Sequence, residues 1–275
     1  MIAGLLAGPA AARSEPVSAR FKDGLVFVDA AVNGARGVFL LDTGAAATAI
    51  DPRFAGAAFV RQGRPRDVVG RGGDVGARQG EAVVLALSDG SKSRIAPVVM
   101  DLSQASSAMG VRLAGILGED FLRGFVLTLN YRDGTLAVSR DAAVPADATP
   151  IDFGQTPYVA ARASLGGRVA EGDFQIDTGS NTAVEFWRPF ARARLGERLG
   201  SSDVGLGVAG GSVIKRGRID VLEVAGRKIT SPEVNFADQT RPDDAGPSYG
   251  GVIGGPAWNG LVLTLDLPHR MMWLR

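Results

Sequence analysis

The 275-residue chain has no cysteine and one histidine, which removes disulfides, thiol nucleophiles and cysteine-based metal sites and leaves a histidine-dependent triad or zinc site with a single candidate residue. Apolar residues make up 45% and charged residues 21%, the balance of an ordinary globular protein, and a formal net charge of +1 gives no reason to invoke a nucleic-acid or membrane partner. Carboxylates are the chemistry that remains. The lone His269 follows Leu267-Pro268 and is expected in an exposed turn.

Met1 to Ser14 has the apolar core and small-residue end of a secretory signal peptide without its basic region; the bland alternative is a disordered apolar tail. Residues 1–20 are therefore set apart from the folded chain, with a periplasmic or secreted location expected. No run approaches the roughly 18 apolar residues of a membrane-spanning helix. From Phe21 the pattern is all-β. Phe21 to Val28 and Ala31-Val32 suggest strands, the second ending at an Asn33-Gly34 hairpin turn. Val38 to Leu41 is a buried strand that delivers Asp42, followed by Thr43-Gly44-Ala45. Thr48 to Phe59, with Pro52 early, suggests a short helix. Residues 61–80 hold Arg61, Arg64, Arg66, Arg71 and Arg78 among several glycines, which suggests a solvated hairpin with a mobile tip. Ala82 to Leu87 and Ile95 to Met100 are expected as strands, and Ala114 to Leu122 as a strand, a glycine and a helical turn. Phe125 to Tyr131 and Leu136 to Val138 look like a hairpin closing the first half, residues 21–140.

Residues 141–150 form a linker, and the pattern then restarts over 151–275. Ala170 to Ile176 leads into Asp177-Thr178-Gly179-Ser180, and Ala183 to Leu195 suggests a helix interrupted by Pro189. Gly205 to Gly211 is a second glycine-rich tip. Gly251-Val252-Ile253-Gly254 matches Gly115-Ile116-Leu117-Gly118, and Leu261 to Leu267 matches Phe125 to Tyr131. The paired landmarks lie 135, 138, 136 and 136 residues apart, so the chain is two copies of one β fold.

Each copy contains an apolar strand, Asp-Thr-Gly, a glycine-bearing hairpin and an apolar-apolar-Gly segment, and in this it resembles the aspartic peptidases in their single-chain, two-lobed form. The run Gly115 to Leu122 and the tyrosine-free tips (Gly72 and Gly73; Gly210 and Gly211) are most similar to bacterial retropepsin-like proteins. The resemblance, which spans about Phe21 to the C-terminus, implies two β-barrel lobes related by a pseudo-twofold axis with a cleft between them. It further implies that Asp42 and Asp177 share a proton and activate water on a peptide bond, with no metal or cofactor. Thr43 and Thr178 would tie the two loops together, and Gly44 and Gly179 would let backbone amides approach the carboxylates. The expected partner is a polypeptide substrate, and with both half-sites in one chain a monomer suffices. Ser180 offers a hydroxyl to Asp177 where Ala45 offers Asp42 none, so Asp42 is expected to hold the shared proton. The alternative is a catalytically silent protein of the same fold that binds peptide or cell-wall polymer. Phe186, Trp187, Trp258 and Trp273 are expected in packing roles, and Asp120 and Asp266 as surface or capping acids.

Overall fold

The strand Ala35–Leu41 stops one residue short of Asp42, and Arg168–Asp177 ends on the second acid. In the computed structural model the described residues are 16–70, 73–196, 202–207, 210–237 and 245–275, so residues 1–15 and tip residue Gly72 lie outside them. The end of the segment set apart as 1–20 belongs to the fold: Val17 is in the core and the strand Ala19–Lys22 pairs with Leu25–Val28. Phe39-Leu40-Leu41 is a continuous apolar run because both of its faces are covered. Phe39 and Leu41 join the main core, whereas Leu40 points the other way into a cluster with Phe27, Ala49, Val98 and Ile116.

Each lobe is a ten-stranded sheet among the described residues. In the first, Ala35–Leu41 lies between antiparallel Leu25–Val32 and parallel Gly115–Leu117. In the second, Arg168–Asp177 lies between antiparallel Pro157–Leu165 and parallel Tyr249–Gly254. The apolar-apolar-Gly segments thus run directly beside the acid-bearing strands, which explains their constant spacing from the acids. At the first hairpin turn Asn33 and Gly34 take φ of 48° and 87°, the left-handed pair that matches strand twist. The helix expected after Asp42 spans Pro52–Ala57.

Three expectations need correction. Ala183 to Leu195 is not one interrupted helix: Val184–Trp187 is a strand paired on both sides, and the helix is Arg188–Arg194 with Pro189 in its first turn. Proline fits that first turn because it has no amide hydrogen to satisfy there, and Val-Glu-Phe-Trp favours the pleated geometry. Ile95 to Met100 divides into Lys92–Ile95 and Val98–Met100 around Pro97, which cannot donate to a ladder. Finally, the hairpins over 126–139 and 262–274 do not close their own halves. They form a shared five-stranded sheet in the order Thr135–Ser139, Val126–Asn130, Val262–Asp266, Met271–Leu274, Thr149–Pro150.

The junction of that sheet is the antiparallel pair Val126–Asn130 and Val262–Asp266, in which Thr128 faces Thr264 with their hydroxyls 3.4 Å apart. Leu127, Leu129, Leu263 and Leu265 enter one core with residues of both lobes. Burying four leucines there outweighs leaving either hairpin edge open to water. Leu265→Ala is expected to cost about 2–5 kcal/mol, in a single transition. All three tryptophans lie in the second half, so their fluorescence reports that lobe while far-UV circular dichroism reports both. Coincident urea curves are expected; a dichroism curve that lags fluorescence would mean that the lobes unfold separately.

Candidate active site

The two Asp-Thr-Gly loops meet at the lobe junction and interlock through their threonines. Thr43 N–H donates to Thr178 Oγ1 at 3.1 Å, and Thr178 N–H donates to Thr43 Oγ1 at 3.1 Å. Each hydroxyl then donates into the opposite lobe, Thr43 to Ile176 O at 2.6 Å and Thr178 to Leu41 O at 2.8 Å. Both threonines are fully buried. Removing one hydroxyl would strand a buried donor and a buried acceptor, each worth about 1–3 kcal/mol.

The interlock brings Asp42 and Asp177 together. Gly44 N–H donates to Asp42 Oδ1 and Gly179 N–H to Asp177 Oδ1, both at 2.8 Å. The glycines have a second role, because each lies against the opposite carboxyl. A Cβ on Gly44 would fall 2.5 Å from Asp177 Cγ, and one on Gly179 would collide in the same way with Asp42. Asp42 is hydrogen-bonded to Asp177, and its pKa is held well above the ordinary carboxylate value. Burial is the main cause and the Asp177 charge the second, partly opposed by the amides of Gly44 and Ala45. Two carboxyls this close titrate as a coupled pair, and the neutral form of Asp42 is the one favoured. Ser180 Oγ accepts from Thr182 N–H at 3.4 Å, which leaves the hydroxyl proton available to an acceptor.

The arms of both loops are closed by the neighbouring glycine segments. Asp42 N–H donates to Leu117 O, Glu119 N–H to Ala45 O and Gly255 N–H to Ser180 O. A side chain on Gly118 or Gly254 would strike the carbonyls of those loops. Asp120 buttresses the first loop by accepting from both the amide and the hydroxyl of Thr48, at 2.7 and 2.6 Å. Asp266 is fully buried rather than at the surface. It caps its turn by accepting from His269 N–H and contacts the imidazole Nδ1, while His269 itself is 54% exposed, as a turn residue should be.

Of the expected flap glycines, Gly73 pairs with Gly70, Gly210 with Gly207 and Gly211 with Leu206 in one hairpin per lobe, whereas Gly72 is outside the described residues. Arg61 is held by Glu81 and Arg66 by Gln79. A cavity of about 420 Å³ at the base of the first hairpin is lined by residues of that hairpin and takes none from the acid loops. A smaller one, about 250 Å³, is lined by Lys22, Leu25, Phe27 and Met109 of the first lobe and by Asn181, which follows the second acid loop. Trp258 and Phe186 are buried as expected, but Phe186 and Trp187 sit on a strand.

Three residues at the site escape sequence reasoning. Gln175 donates through Nε2 to Gly44 O across the junction, at 3.3 Å. The Tyr131 hydroxyl is buried without a partner, its pKa raised first by burial and then by the Asp177 charge. Glu119 is fully buried with both carboxylate oxygens unpartnered, and burial pushes its pKa up to about 8 against partial relief from Arg123. Only the period-two alternation from Asp177 back to Gln175 carries a sequence signal for any of them.

The sign of the Glu119 effect follows from linkage. Below about pH 4.5 folded and unfolded states are both protonated at this residue; between there and about 8 only the folded state keeps the proton, so stability falls as pH rises. Relative to Glu119→Gln, the native chain should lose a few kcal/mol between about pH 5 and 8. Parallel urea-unfolding free energies of the two proteins across that range would contradict this.

Residues 28–124 match the family described as gag-polyprotein putative aspartyl protease, a stretch that holds Asp42-Thr43-Gly44 and Ile116-Leu117-Gly118. No curated protein matches the chain in sequence.

Proposed function

We propose that this chain, an aspartyl protease family member through its first lobe and a two-lobed retropepsin-like protein through the repeat in its second, is an endopeptidase in which Asp42 and Asp177 activate water on a peptide bond. The observation that supports it best is the mutual approach of two carboxyls whose loops are interlocked by Thr43 and Thr178. With one proton between them, the ionised member takes a proton from water as it attacks the scissile carbonyl carbon. The protonated member donates to the carbonyl oxygen, which gives a tetrahedral gem-diol. As the C–N bond breaks, the member that took the proton from water gives it to the amine nitrogen while its partner takes one from a gem-diol hydroxyl, which returns the pair to its starting state. The interlock holds both oxygens in place before substrate arrives, so little reorganisation is needed at the moment of reaction. Both half-sites belong to one chain, so a monomer is sufficient for activity.

Asp42→Asn and Asp177→Asn, tested separately on casein or a peptide library from acid to neutral pH, should each lower kcat/KM by roughly 10³-fold or more with the circular dichroism unchanged. A pepstatin-class inhibitor should compete with substrate. Full cleavage by either variant would remove the dyad from the mechanism, and peptide binding without any cleavage would favour the silent binder. In the resting pair Asp42 carries the proton and Asp177 the charge, with the Ser180 hydroxyl available to the latter. Ser180→Ala should therefore raise the lower apparent pKa of the pH–rate profile; an unmoved lower limb would assign the asymmetry elsewhere.

A further inference from the structure

Two residues before each acid, on the same face as the carboxylate, stand Leu40 in the first lobe and Gln175 in the second. Strand register extends each into a row across its sheet. In the first lobe the row is Phe27, Leu40, Ile116, Ala49, Val98 and Gln79. In the second it is Tyr158, Gln175, Val252, Glu185, Asn235 and Arg216. The strands correspond one to one, so the rows compare position by position. The first five members in lobe one form a single buried apolar cluster. Lobe two replaces Leu40, Ala49 and Val98 with Gln175, Glu185 and Asn235.

We propose that this asymmetry sets the substrate class: of the side chains flanking the scissile bond, the one facing lobe one is apolar and the one facing lobe two bears an amide or hydroxyl. The inference rests on the peptidase reading above. The first row reaches the junction at Phe27, on the wall of a cavity whose rim, outside the row, carries Lys22, Asp23, Ser107 and Asn181. The second reaches it at Gln175, whose Nε2 donates to Gly44 O and to Thr156 Oγ1. Because the Gly44 carbonyl only accepts, the amide nitrogen must face it, and Gln175 Oε1 points away with no donor among the described residues. Asn235 likewise spends Nδ2 on Thr182 Oγ1 at 2.8 Å and keeps Oδ1.

An apolar side chain pressed on these carbonyls would leave them buried and unpaired, whereas one carrying N–H or O–H would satisfy them. The row holds both an acid, Glu185, and a base, Arg216, so it is polar without favouring an anion or a cation. The row in lobe one offers no such partner. Its only polar member, Gln79, already donates to Ala96 O and Pro97 O and accepts from Arg66, so a polar side chain there would be desolvated without compensation.

The test is a cleavage-site profile of the full chain on a randomised peptide library, repeated for Gln175→Leu, Asn235→Val and the double variant. The native profile should show an apolar residue on one side of the cut and Asn, Gln, Ser or Thr on the other. The variants, which install lobe-one residue types, should shift the polar side toward Leu or Val by about 10-fold or more in relative kcat/KM and leave the apolar side unchanged. Should the variants not fold, the native profile decides. Apolar preference on both sides would overturn the inference while leaving the peptidase reading intact. Binding of the same library to Asp42→Asn, followed by peptide recovery, separates the two in the other direction. Polar-selective binding without native cleavage overturns only the peptidase reading, and neither binding nor cleavage overturns both.

Discussion

Four buried hydrogen bonds made by Thr43 and Thr178 are the constraint from which the site follows. Each threonine hydroxyl accepts an amide hydrogen from the other loop and donates its own proton to a carbonyl of the other lobe. The arrangement is self-complementary, so only a near-symmetric approach of the two loops satisfies all four. Once the loops are at that distance, the space beside each carboxyl is occupied by the opposite glycine, and no larger residue fits there. Burial and the neighbouring Asp177 charge together hold the Asp42 pKa well above its ordinary value. The coupling of the two carboxyls is a consequence of how the lobes are joined.

The shared five-stranded sheet carries the same logic away from the site. The pair Val126–Asn130 and Val262–Asp266 sets Thr128 against Thr264, the counterpart at the sheet of the threonine pair at the loops. Together the two contacts fix the relation of the lobes at two places, and a core continuous through both lobes fills the space between. Within this symmetric frame the differences between the copies become meaningful. Gly255 lies against the carbonyl of Gly24 and tolerates no side chain; at the equivalent place 136 residues earlier stands Glu119, a buried acid with no hydrogen-bond partner. An acid kept neutral there costs less at low pH than at high, so this position favours the folded state more in acid than near neutrality. The same frame turns Leu40 into Gln175 and an apolar wall into a hydrogen-bonding one.

Much of this was legible in the chain. The apolar run into Asp42-Thr43-Gly44, its recurrence 135 residues later and the matched apolar-apolar-Gly segments identified two copies of one β fold and named both acids, because a buried strand on each side of a sheet and an acid in a tight loop are local patterns. The Asn33-Gly34 turn was equally local. What failed was decided by partners distant in sequence. Val184–Trp187 looks helical until it is seen paired with Glu233–Ala237 and Tyr249–Gly254. The two closing hairpins look self-contained until their open edges find each other. Asp266, expected as a surface or capping acid, does cap its turn but is fully buried on a strand of the shared sheet.

The sequence by itself determined the residue types, the twofold repeat and the pair of Asp-Thr-Gly loops, since each is written in contiguous residues with its own periodicity or turn chemistry. Only the tertiary structure decided that the pair is a pair: that threonine hydroxyls cross the junction, that each glycine makes room for the other lobe's carboxyl, and that Gln175 reaches Gly44. Those contacts join residues more than 130 positions apart, and no local preference specifies which of many buried polar groups will meet. Their selection comes from packing two curled sheets onto one core, where every buried donor must find an acceptor.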